Sequence, residues 1–383
     1  PNAQTTRRQA APNGQQMPHN RPPQGKDNAQ TAGQPGTAQI QQPPPGAEPP
    51  PPFHHVNVEA DGNHDGVTDA ARVGVPGFDI PPPPKFLPRM PGLNPEQTKA
   101  EKNLCERYES NPDRLAKRVR KAFLINASAR GEPITFETDG AKNLSKWWKS
   151  TFLESNLEQR SKHRAQLNTA LHAAANAVTK RAFIQHLDTL PAGSEIMVTV
   201  GGCGAGKGYA LGVDKKTGQP FVPHVYQMKQ KAACIWDSAG DQNGTESPWI
   251  LQEAQRRGLK VTYAYVHADP HTQWAHPERG VVKRAQDPAD GRMVDAKVFA
   301  DSYAIGGKNH HAFYSANKDN PNCRFIFMAN GNPPKQLDGM PTEALNIDRH
   351  ELAHFAAKTV ESNDAIPDHV RRGALQGHQM WHD

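Results

Sequence analysis

The stretch IMVTVGGCGAGKGYAL, residues 196–211, carries an apolar run into a glycine-rich turn that ends in Lys207. Gly201, Gly206 and Lys207 match the spacing G-x-x-x-x-G-K, a phosphate-binding pattern when it lies between a strand and a helix. Glycines allow a bend so tight that successive N–H groups face phosphate oxygens at the positive end of the helix. Lys207 then adds a point charge for the β- and γ-phosphates. The stretch predicts a phosphate site at the end of a buried strand.

Gly208 follows the lysine, where the usual pattern has a Ser or Thr whose hydroxyl ligates Mg²⁺. The run GGCGAGKG resembles the loop of adenylate and related nucleoside-monophosphate kinases, whose pattern also has Gly after Lys and then Thr. Here Tyr209 takes the place of that Thr. The protein ligand of the metal is therefore unassigned, and a water-mediated arrangement is one option. The residues predicted to contact nucleotide are Gly201, Gly202, Cys203, Gly204, Ala205, Gly206, Lys207, Gly208 and Tyr209.

Four apolar runs alternate with helical patterns in the second half of the chain. The first, EIMVTV, spans 195–200 and leads into the loop. The others are AACIWD (232–237), KVTYAYV (260–266) and CRFIFMA (323–329), with the helix SPWILQEAQRRGL (247–259) between two of them. Continuous apolar runs are typical of strands buried on both faces, and their alternation with helices indicates a parallel sheet. The predicted fold class is α/β, a P-loop NTPase-like parallel sheet with flanking helices, with its kinase core at 191–335 and a C-terminal helical tail at 336–383.

A helical region precedes that core. Apolar residues recur at helical spacing in 95–127, with a break at Asn111-Pro112, and again in about 143–189. Earlier in the chain, 21 of the 35 prolines lie in residues 1–100, among Gln, Asn and Gly. Such a composition cannot bury enough apolar surface to offset the entropy of ordering. We therefore predict a helical region at 96–190 and a disordered Pro/Gln/Gly-rich region at 1–95.

The N-terminal region contains one pattern of metal-ligand type, DGNHDGVTDAAR, which begins at Asp61. Asp61, Asn63, Asp65 and Asp69 stand at positions 1, 3, 5 and 9 of a calcium loop. The twelfth position, which should supply a bidentate Glu, is Arg72. A polar Asx-rich turn is therefore favoured over calcium binding.

The formal net charge is +6, and residues 1–100 hold eight basic and eight acidic residues, so the excess lies in the remainder. No Lys/Arg run is dense enough to favour nucleic-acid binding over an enzyme of anionic substrates.

The four cysteines include no C-x-x-C pair, so neither a disulfide framework nor a zinc site is indicated. No run of 18 apolar residues exists, which predicts no membrane span and makes a cytoplasmic location the default.

Asp237 ends the second apolar run, and a carboxylate at the carboxyl end of a strand lies near the phosphate loop in such sheets. It could hold Mg²⁺ through water or accept the proton of an attacking hydroxyl. Asp241 competes for that role, and an Asp in this place can equally cap the next turn. Ser238 and Thr245 in the same loop are residue types that favour turns and caps.

A basic segment, ERGVVKRAQDPADGRMV, lies between the third and fourth runs. Arg279, Lys283 and Arg284 share a helix face, and Arg292 follows a turn that contains Gly. Such a segment can close over nucleotide phosphates and stabilise the charge on the transferred group. A solvated basic helix is the alternative.

Lys308, His310 and His311 follow in the stretch GGKNHHAF, within the same polar insertion. Paired histidines on a loop are more often surface residues than metal ligands. We therefore expect exposed side chains at these positions.

The order of these elements resembles that of the zeta-toxin family of P-loop kinases over about residues 165–335. The shared features are the loop, the strand within RRGLKVTYAYVHADP, a helix with spaced arginines, GRMV, and a last strand followed by Asn in FMANGNPP. The resemblance implies ATP-dependent phosphorylation of a small molecule, typically a sugar or ribose hydroxyl of a nucleotide conjugate. It also implies that Lys207 binds the ATP phosphates, that Arg284 and Arg292 clamp them, and that Asn330 lies near the adenine.

That family places an acidic base on a strand soon after the loop, and Asp237 or Asp214 would take the role here. The chain departs from the family at Gly208 and Tyr209, which replace its Ser or Thr. The predicted function is therefore an ATP- and Mg²⁺-dependent kinase whose catalytic residues are Lys207, Asp237, Arg284 and Arg292. The alternatives are a nucleotide-binding module without transfer activity and a nucleoside-monophosphate-type kinase.

The predicted partner of the kinase is a small molecule that bears a hydroxyl group. The resemblance also implies an antitoxin. In the alternative of a nucleotide-binding module, the Pro-rich region would serve as a docking tail for a protein partner. A Pro/Gln-rich head before such a kinase is similar to the layout of secreted bacterial effectors, which is the alternative to the cytoplasm.

Overall fold

The computed structural model describes Arg89 and residues 93–151, 156–277, 280–286 and 294–379. The predicted disorder before Arg89 and the calcium-loop pattern that begins at Asp61 lie outside the described residues. The same is true of Arg279 and Arg292 in the basic segment.

Six strands form one sheet, in the order β1-β3-β2-β4-β5-β6. The strands are β1 Thr135–Phe136, β2 Glu195–Val200, β3 Ile235–Asp237, β4 Lys260–His267, β5 Cys323–Ala329 and β6 Lys335–Leu337. The first five strands are parallel to their neighbours, and β6 pairs antiparallel with β5. The predicted α/β fold with a parallel sheet is therefore confirmed, and the strands at the two edges were not predicted. Each edge strand has only two or three residues, too few to show a period in the sequence.

Among the described residues, helices precede and follow the sheet and lie in most connections between its strands. They are α1 Pro95–Ser110, α2 Pro112–Arg130, α3 Thr138–Lys142, α4 Lys146–Thr151, α5 Leu157–Leu187, α6 Lys207–Ala210, α7 Pro223–Lys231, α8 Glu246–Gln255, α9 Pro270–Ala275, α10 Val281–Gln286, α11 Ala296–Asn317, α12 Arg349–Glu361 and α13 Asp368–Gln379, with a 3-10 helix at Thr342–Leu345. Among the described residues, no helix has both the length and the apolarity required to cross a membrane.

The break between the first two helices falls where the sequence predicts it. The Asn111 side chain accepts a hydrogen bond from the Arg114 N–H, and Pro112 occupies the first position of α2. Asn and Pro are favoured at these positions because the side-chain oxygen satisfies an orphan N–H and Pro has none to satisfy. Asn94 caps α1 in the same way, with Gln97 completing a capping box.

The helical region and the sheet share one hydrophobic core. Phe183 of α5 lies 5.3 Å from Phe136 of β1 and 5.0 Å from Trp236 of β3, measured between ring centroids. Trp249 of α8 completes this aromatic cluster, 5.7 Å from Trp236. The cluster buries large aromatic surfaces between the helical region and the sheet. Each of these two parts therefore covers apolar surface of the other and stabilises it.

The segment around Lys308, His310 and His311 is not a loop but part of the long helix α11. The prediction of exposed histidines is wrong for His310, which is 1% exposed and stacks on Tyr265 at 4.8 Å. The glycines that suggested a loop serve close packing instead. A side chain on Gly306 would collide with the Gly240 carbonyl oxygen.

Candidate phosphate-binding site

The carboxyl ends of four parallel strands meet at one edge of the sheet. The chain runs from β2 to β3 on one side of β2, then to β4 and β5 on the other side. In open α/β sheets, ligands bind outside the carboxyl ends of the strands at the point where the strand order reverses. The glycine-rich loop, residues 201–206, follows β2 and therefore lies at this switch point.

The loop bends at two residues in the left-handed region. Gly204 has φ 79° and Gly206 has φ 72°, values that a residue with a side chain rarely adopts. A Cβ on Gly206 would also collide with the side-chain amide of Asn330, and one on Gly204 would lie 3.3 Å from a guanidinium nitrogen of Arg284. The two glycines thus set the shape of the loop and let Asn330 and Arg284 approach it.

Several backbone N–H groups of the loop are available to a ligand. The Cys203 N–H donates to Ser302 Oγ at 2.9 Å, and the Ala205 N–H donates to the Gly202 carbonyl at 3.0 Å. Within the described part of the chain, the N–H groups of Gly204 and Gly206 in the loop, and of Lys207 and Gly208 at the start of α6, have no acceptor. A run of such donors in a glycine loop is an anion-binding concavity.

The helix that follows the loop is short. Helix α6 has four residues and ends before Gly212, which lies so close to Gly208 that an added Cβ would come within 2.7 Å of the Gly208 carbonyl oxygen. Each Gly lowers helix stability by about 1 kcal/mol relative to Ala, and a single turn has few aligned dipoles. The positive charge for an anion therefore comes from Lys207 and the loop N–H groups, with little from the helix dipole.

Lys207 and Asp237 face each other beside the loop. The Lys207 Nζ lies 3.6 Å from Asp237 Oδ1, and Thr199 Oγ1 donates a hydrogen bond to the same oxygen at 2.6 Å. Thr199 and Asp237 are register partners in β2 and β3, so the sheet itself fixes this contact. The Asp237 side chain is 37% exposed and the Lys207 side chain 13% exposed, so solvent and ligands can reach the carboxylate.

The two competing carboxylates have other partners. Asp241 accepts hydrogen bonds from the N–H groups of Glu246 and Ser247 at the start of α8. Its φ of 43° is the one left-handed value of a non-glycine residue among the described residues. Asp214 accepts from the Lys216 N–H and from Thr217 within a local turn. Asp241, and not Asp237, is thus the residue that caps the start of α8.

Of the other predicted site residues, Arg284 and Asn330 contact the loop and Lys283 does not. Arg284 lies on α10 against Gly204, whereas Lys283 on the same helix is exposed. The Asn330 side chain donates from Nδ2 to the Ala205 carbonyl at 2.8 Å, so the observed contact of Asn330 is with the loop. Its Oδ1 is buried and, within the described part of the chain, accepts no hydrogen bond.

The two residues after Lys207 differ in what surrounds them. A Cβ on Gly208 would meet no atom within 4 Å, so the position has room for a side chain. The Tyr209 ring packs against Phe221 at 4.7 Å between centroids. Among the described residues beside the loop, Asp237 is the one carboxylate that could hold Mg²⁺. Mg²⁺ commonly binds one or two carboxylates, substrate phosphates and waters, and that is the arrangement these residues fit.

Two residues of α11 also contact the loop and were not predicted. Ser302 accepts the Cys203 N–H, and the Tyr303 ring packs against Gly202 so closely that a Cβ there would come within 2.5 Å. The Tyr303 hydroxyl is buried and has no hydrogen-bond partner within the described part of the chain. The helical spacing of Phe299, Tyr303 and His310 is the sequence signal that could have revealed them.

No protein-family model matches this sequence, and no curated protein matches it either. The resemblance to the zeta-toxin family therefore remains a prediction that rests on the loop and on the order of the elements.

Proposed function

We propose that this protein is an ATP-binding P-loop kinase that transfers the γ-phosphoryl group of ATP to a hydroxyl of a small molecule. The observation that carries the proposal is the contact of Lys207 with Asp237, 3.6 Å apart beside a glycine loop at the switch point of the sheet. A cation for phosphates and a carboxylate for the attacking hydroxyl are the two groups that such a transfer needs at one place.

The residues beside the loop have different roles in this proposal. The four unpaired loop N–H groups and Lys207 hold the β- and γ-phosphates. Arg284, which lies against Gly204, stabilises the charge that spreads over the transferred group. Mg²⁺, when bound, neutralises phosphate oxygens, and Asp237 is the residue that would hold it through water.

In the transfer step one P–O bond forms, another breaks and one proton is transferred. The acceptor oxygen forms a bond to the γ-phosphorus in line with the breaking bond to the β-phosphate oxygen, and ADP leaves. Asp237 takes the proton of the acceptor hydroxyl, since its carboxylate is the one at the loop that is not engaged in a cap or a local turn. Thr199 orients that carboxylate.

The first test is the variant Lys207→Ala. It should abolish Mg²⁺-dependent ATP turnover and weaken nucleotide binding, because the charge on the β- and γ-phosphates is lost. Turnover is measured by ADP release from the purified protein, and binding by fluorescence of a labelled ATP analogue. Lys215→Ala is the matched control, since Lys215 is an exposed lysine on a nearby turn. Unchanged turnover in Lys207→Ala would contradict the proposal.

A nucleotide-binding module without transfer activity is the second candidate. The absence of a hydroxyl at Gly208 and the packing of Tyr209 on Phe221 favour it, because neither residue offers the usual metal ligand. The same two assays separate the candidates. ATP binding that depends on Lys207, together with no Mg²⁺-dependent turnover, would decide for the binding module.

A further inference from the structure

Helix α2 carries a basic and partly apolar face on the surface of the helical region. Residues 114–131 hold six Lys or Arg side chains and no Asp or Glu. The buried side of the helix consists of Leu115, Ala116, Val119 and Phe123. Because residues three or four positions apart share one side of a helix, the opposite side groups the exposed residues Arg114, Lys117, Arg118, Lys121, Leu124 and Ile125. We call these six residues the outer face of α2.

The four cations of the outer face have no carboxylate partner among the described residues. The carboxylates that precede them in the chain form other ion pairs, which are Glu106–Lys102, Glu109–Arg89 and Asp113–Arg181. The sequence spreads the cations over eight positions, and the helix places all four within about 11 Å along its axis. Like charges this close repel one another, so the outer face is electrostatically complementary to an anionic surface.

Two exposed aliphatic side chains extend the outer face past the cations. Leu124 is 42% exposed and Ile125 is 58% exposed, and among the described residues only one other large apolar side chain is exposed, Val298. Both lie within about one turn of Lys121. Burial of aliphatic surface away from water is favourable, so a partner that offers hydrocarbon beside negative charge would interact with both parts of the face. The headgroup region of an anionic membrane has this combination.

A cleft of about 410 Å³ adjoins the outer face, between α2 and α5. The lining residues are Asp113, Arg114, Lys117, Arg120, Gln185 and Asp188. The two carboxylates are engaged in ion pairs with Arg181 and Arg257, at 2.7 and 2.6 Å. Arg120 donates a hydrogen bond to the Gln185 carbonyl at 2.6 Å. Arg114 and Lys117 are therefore the cations of this lining that remain for a ligand phosphate, and both also belong to the outer face.

We propose that the outer face of α2 binds the surface of membranes that contain anionic phospholipids. The four cations pair with lipid phosphates and anionic headgroups, and Leu124 and Ile125 insert beside the acyl chains. Arg114 and Lys117 can also hold a headgroup phosphate in the adjoining cleft. Such attachment is peripheral and reversible, so it needs no helix that crosses the membrane. The inference does not depend on the proposed kinase function.

Two other classes of partner fit the outer face less well. The phosphates of a nucleic acid would pair with the cations but would leave Leu124 and Ile125 against a charged, hydrated backbone. A stable protein interface buries about 800 Å² on each partner and has a packed apolar centre. The outer face offers one convex helix with two aliphatic side chains, which is too little for such a centre. A membrane surface requires no matching groove.

The test is co-sedimentation of the full chain with vesicles of defined composition. The parent chain should bind vesicles of phosphatidylcholine with about 30% phosphatidylserine, should not bind phosphatidylcholine alone, and should bind less at about 0.5 M salt. The variant Arg114→Gln/Lys117→Gln/Arg118→Gln/Lys121→Gln should bind at least about tenfold more weakly. The control Lys215→Gln/Lys216→Gln/Lys318→Gln/Lys358→Gln removes the same charge from exposed lysines elsewhere and should bind as the parent does.

The apolar part of the face has its own variant, Leu124→Gln/Ile125→Gln, which leaves the charge unchanged. It should bind the anionic vesicles at least about threefold more weakly, with the helix content by circular dichroism unchanged because both positions are exposed.

Equal binding of the parent to the two kinds of vesicle, or parent-like binding of the four-residue variant of α2, would overturn the proposal. Binding of a DNA duplex together with no binding to vesicles would overturn it in favour of nucleic acid. ATP turnover should be the same in the parent and in that variant, because α2 contributes no residue to the phosphate site. The kinase proposal is therefore tested separately.

Discussion

Asp237 differs from Asp214 and Asp241, the other two candidate carboxylates, in its hydrogen-bond partners. Asp214 and Asp241 each accept two hydrogen bonds from their own turn or the next helix. Asp237 instead bonds to Thr199 across the sheet and faces Lys207. The carboxylate of Asp237 is therefore the one that our proposed function assigns to the transfer step, whereas a carboxylate that caps a helix stabilises the fold.

His310 gives a prediction about pH. Burial lowers the pKa of His310 from its ordinary value of 6.5 to about 3, with His311 adding to the effect. Below pH 6.5 the unfolded chain therefore binds a proton that the folded chain does not. The contribution of His310 to stability should fall by up to about 1.4 kcal/mol per pH unit until about pH 3.

The variant His310→Leu should lose this part of the pH dependence. Urea unfolding at pH 7 and pH 5 measures it, as the difference in the free energy of unfolding between the two conditions. The control His311→Gln should keep the difference of the parent chain. An equal difference in His310→Leu and in the parent would show that His310 does not titrate as described.

At the scale of elements, α11 connects the site to the rest of the fold. Its buried face includes Ser302, Tyr303 and His310, so one helix contacts the glycine-rich loop and packs on β4. Gly306 is needed because the Gly240 backbone crosses the helix at close range. Close approach of two backbones is a known use of glycine inside a helix.

The variant Gly306→Ala should destabilise the protein by about 1–3 kcal/mol, since the new methyl would collide with the Gly240 carbonyl. Gly373→Ala is the matched control. Gly373 also lies in a helix, but a Cβ there meets no atom within 4 Å. That change should stabilise the protein by up to about 1 kcal/mol because Ala favours the helix. Changes of equal sign in urea unfolding would refute the packing argument.

At the scale of the whole molecule, the helical region and the sheet depend on one core. Phe183 is fully buried and contacts aromatic rings of β1, β3 and α8. The variant Phe183→Ala should lower the free energy of unfolding by about 3–5 kcal/mol, because it leaves a cavity between the two parts. Helix content by circular dichroism and tryptophan fluorescence should decline in one transition, both in this variant and in the parent.

The control for Phe183→Ala is Leu124→Ala, at a residue that is 42% exposed on α2. It should change stability by less than about 0.5 kcal/mol. Two separate transitions in the parent chain, one for the helices and one for the sheet, would show that the shared core does not couple them.

The sequence by itself determined the class of the fold and the place of the glycine-rich loop after β2. Continuous apolar runs are long enough in β2, β4 and β5 to be recognised, and their order with helices limits the sheet to a parallel one. The spacing from Gly201 to Lys207 is a local property, so it is visible without any tertiary contact. The break before Pro112 is local in the same sense.

Only the tertiary structure decided which distant residues meet at that loop. The contacts of Ser302, Tyr303 and Asn330 with the loop join residues that are 99 to 125 positions apart. No sequence spacing encodes such a contact, since it follows from strand order and from the packing of α11. The glycines and polar residues around Gly306 and His310 predict a loop, whereas the structure has a helix there. The backbone that makes glycine necessary there comes from Gly240, far away in the chain.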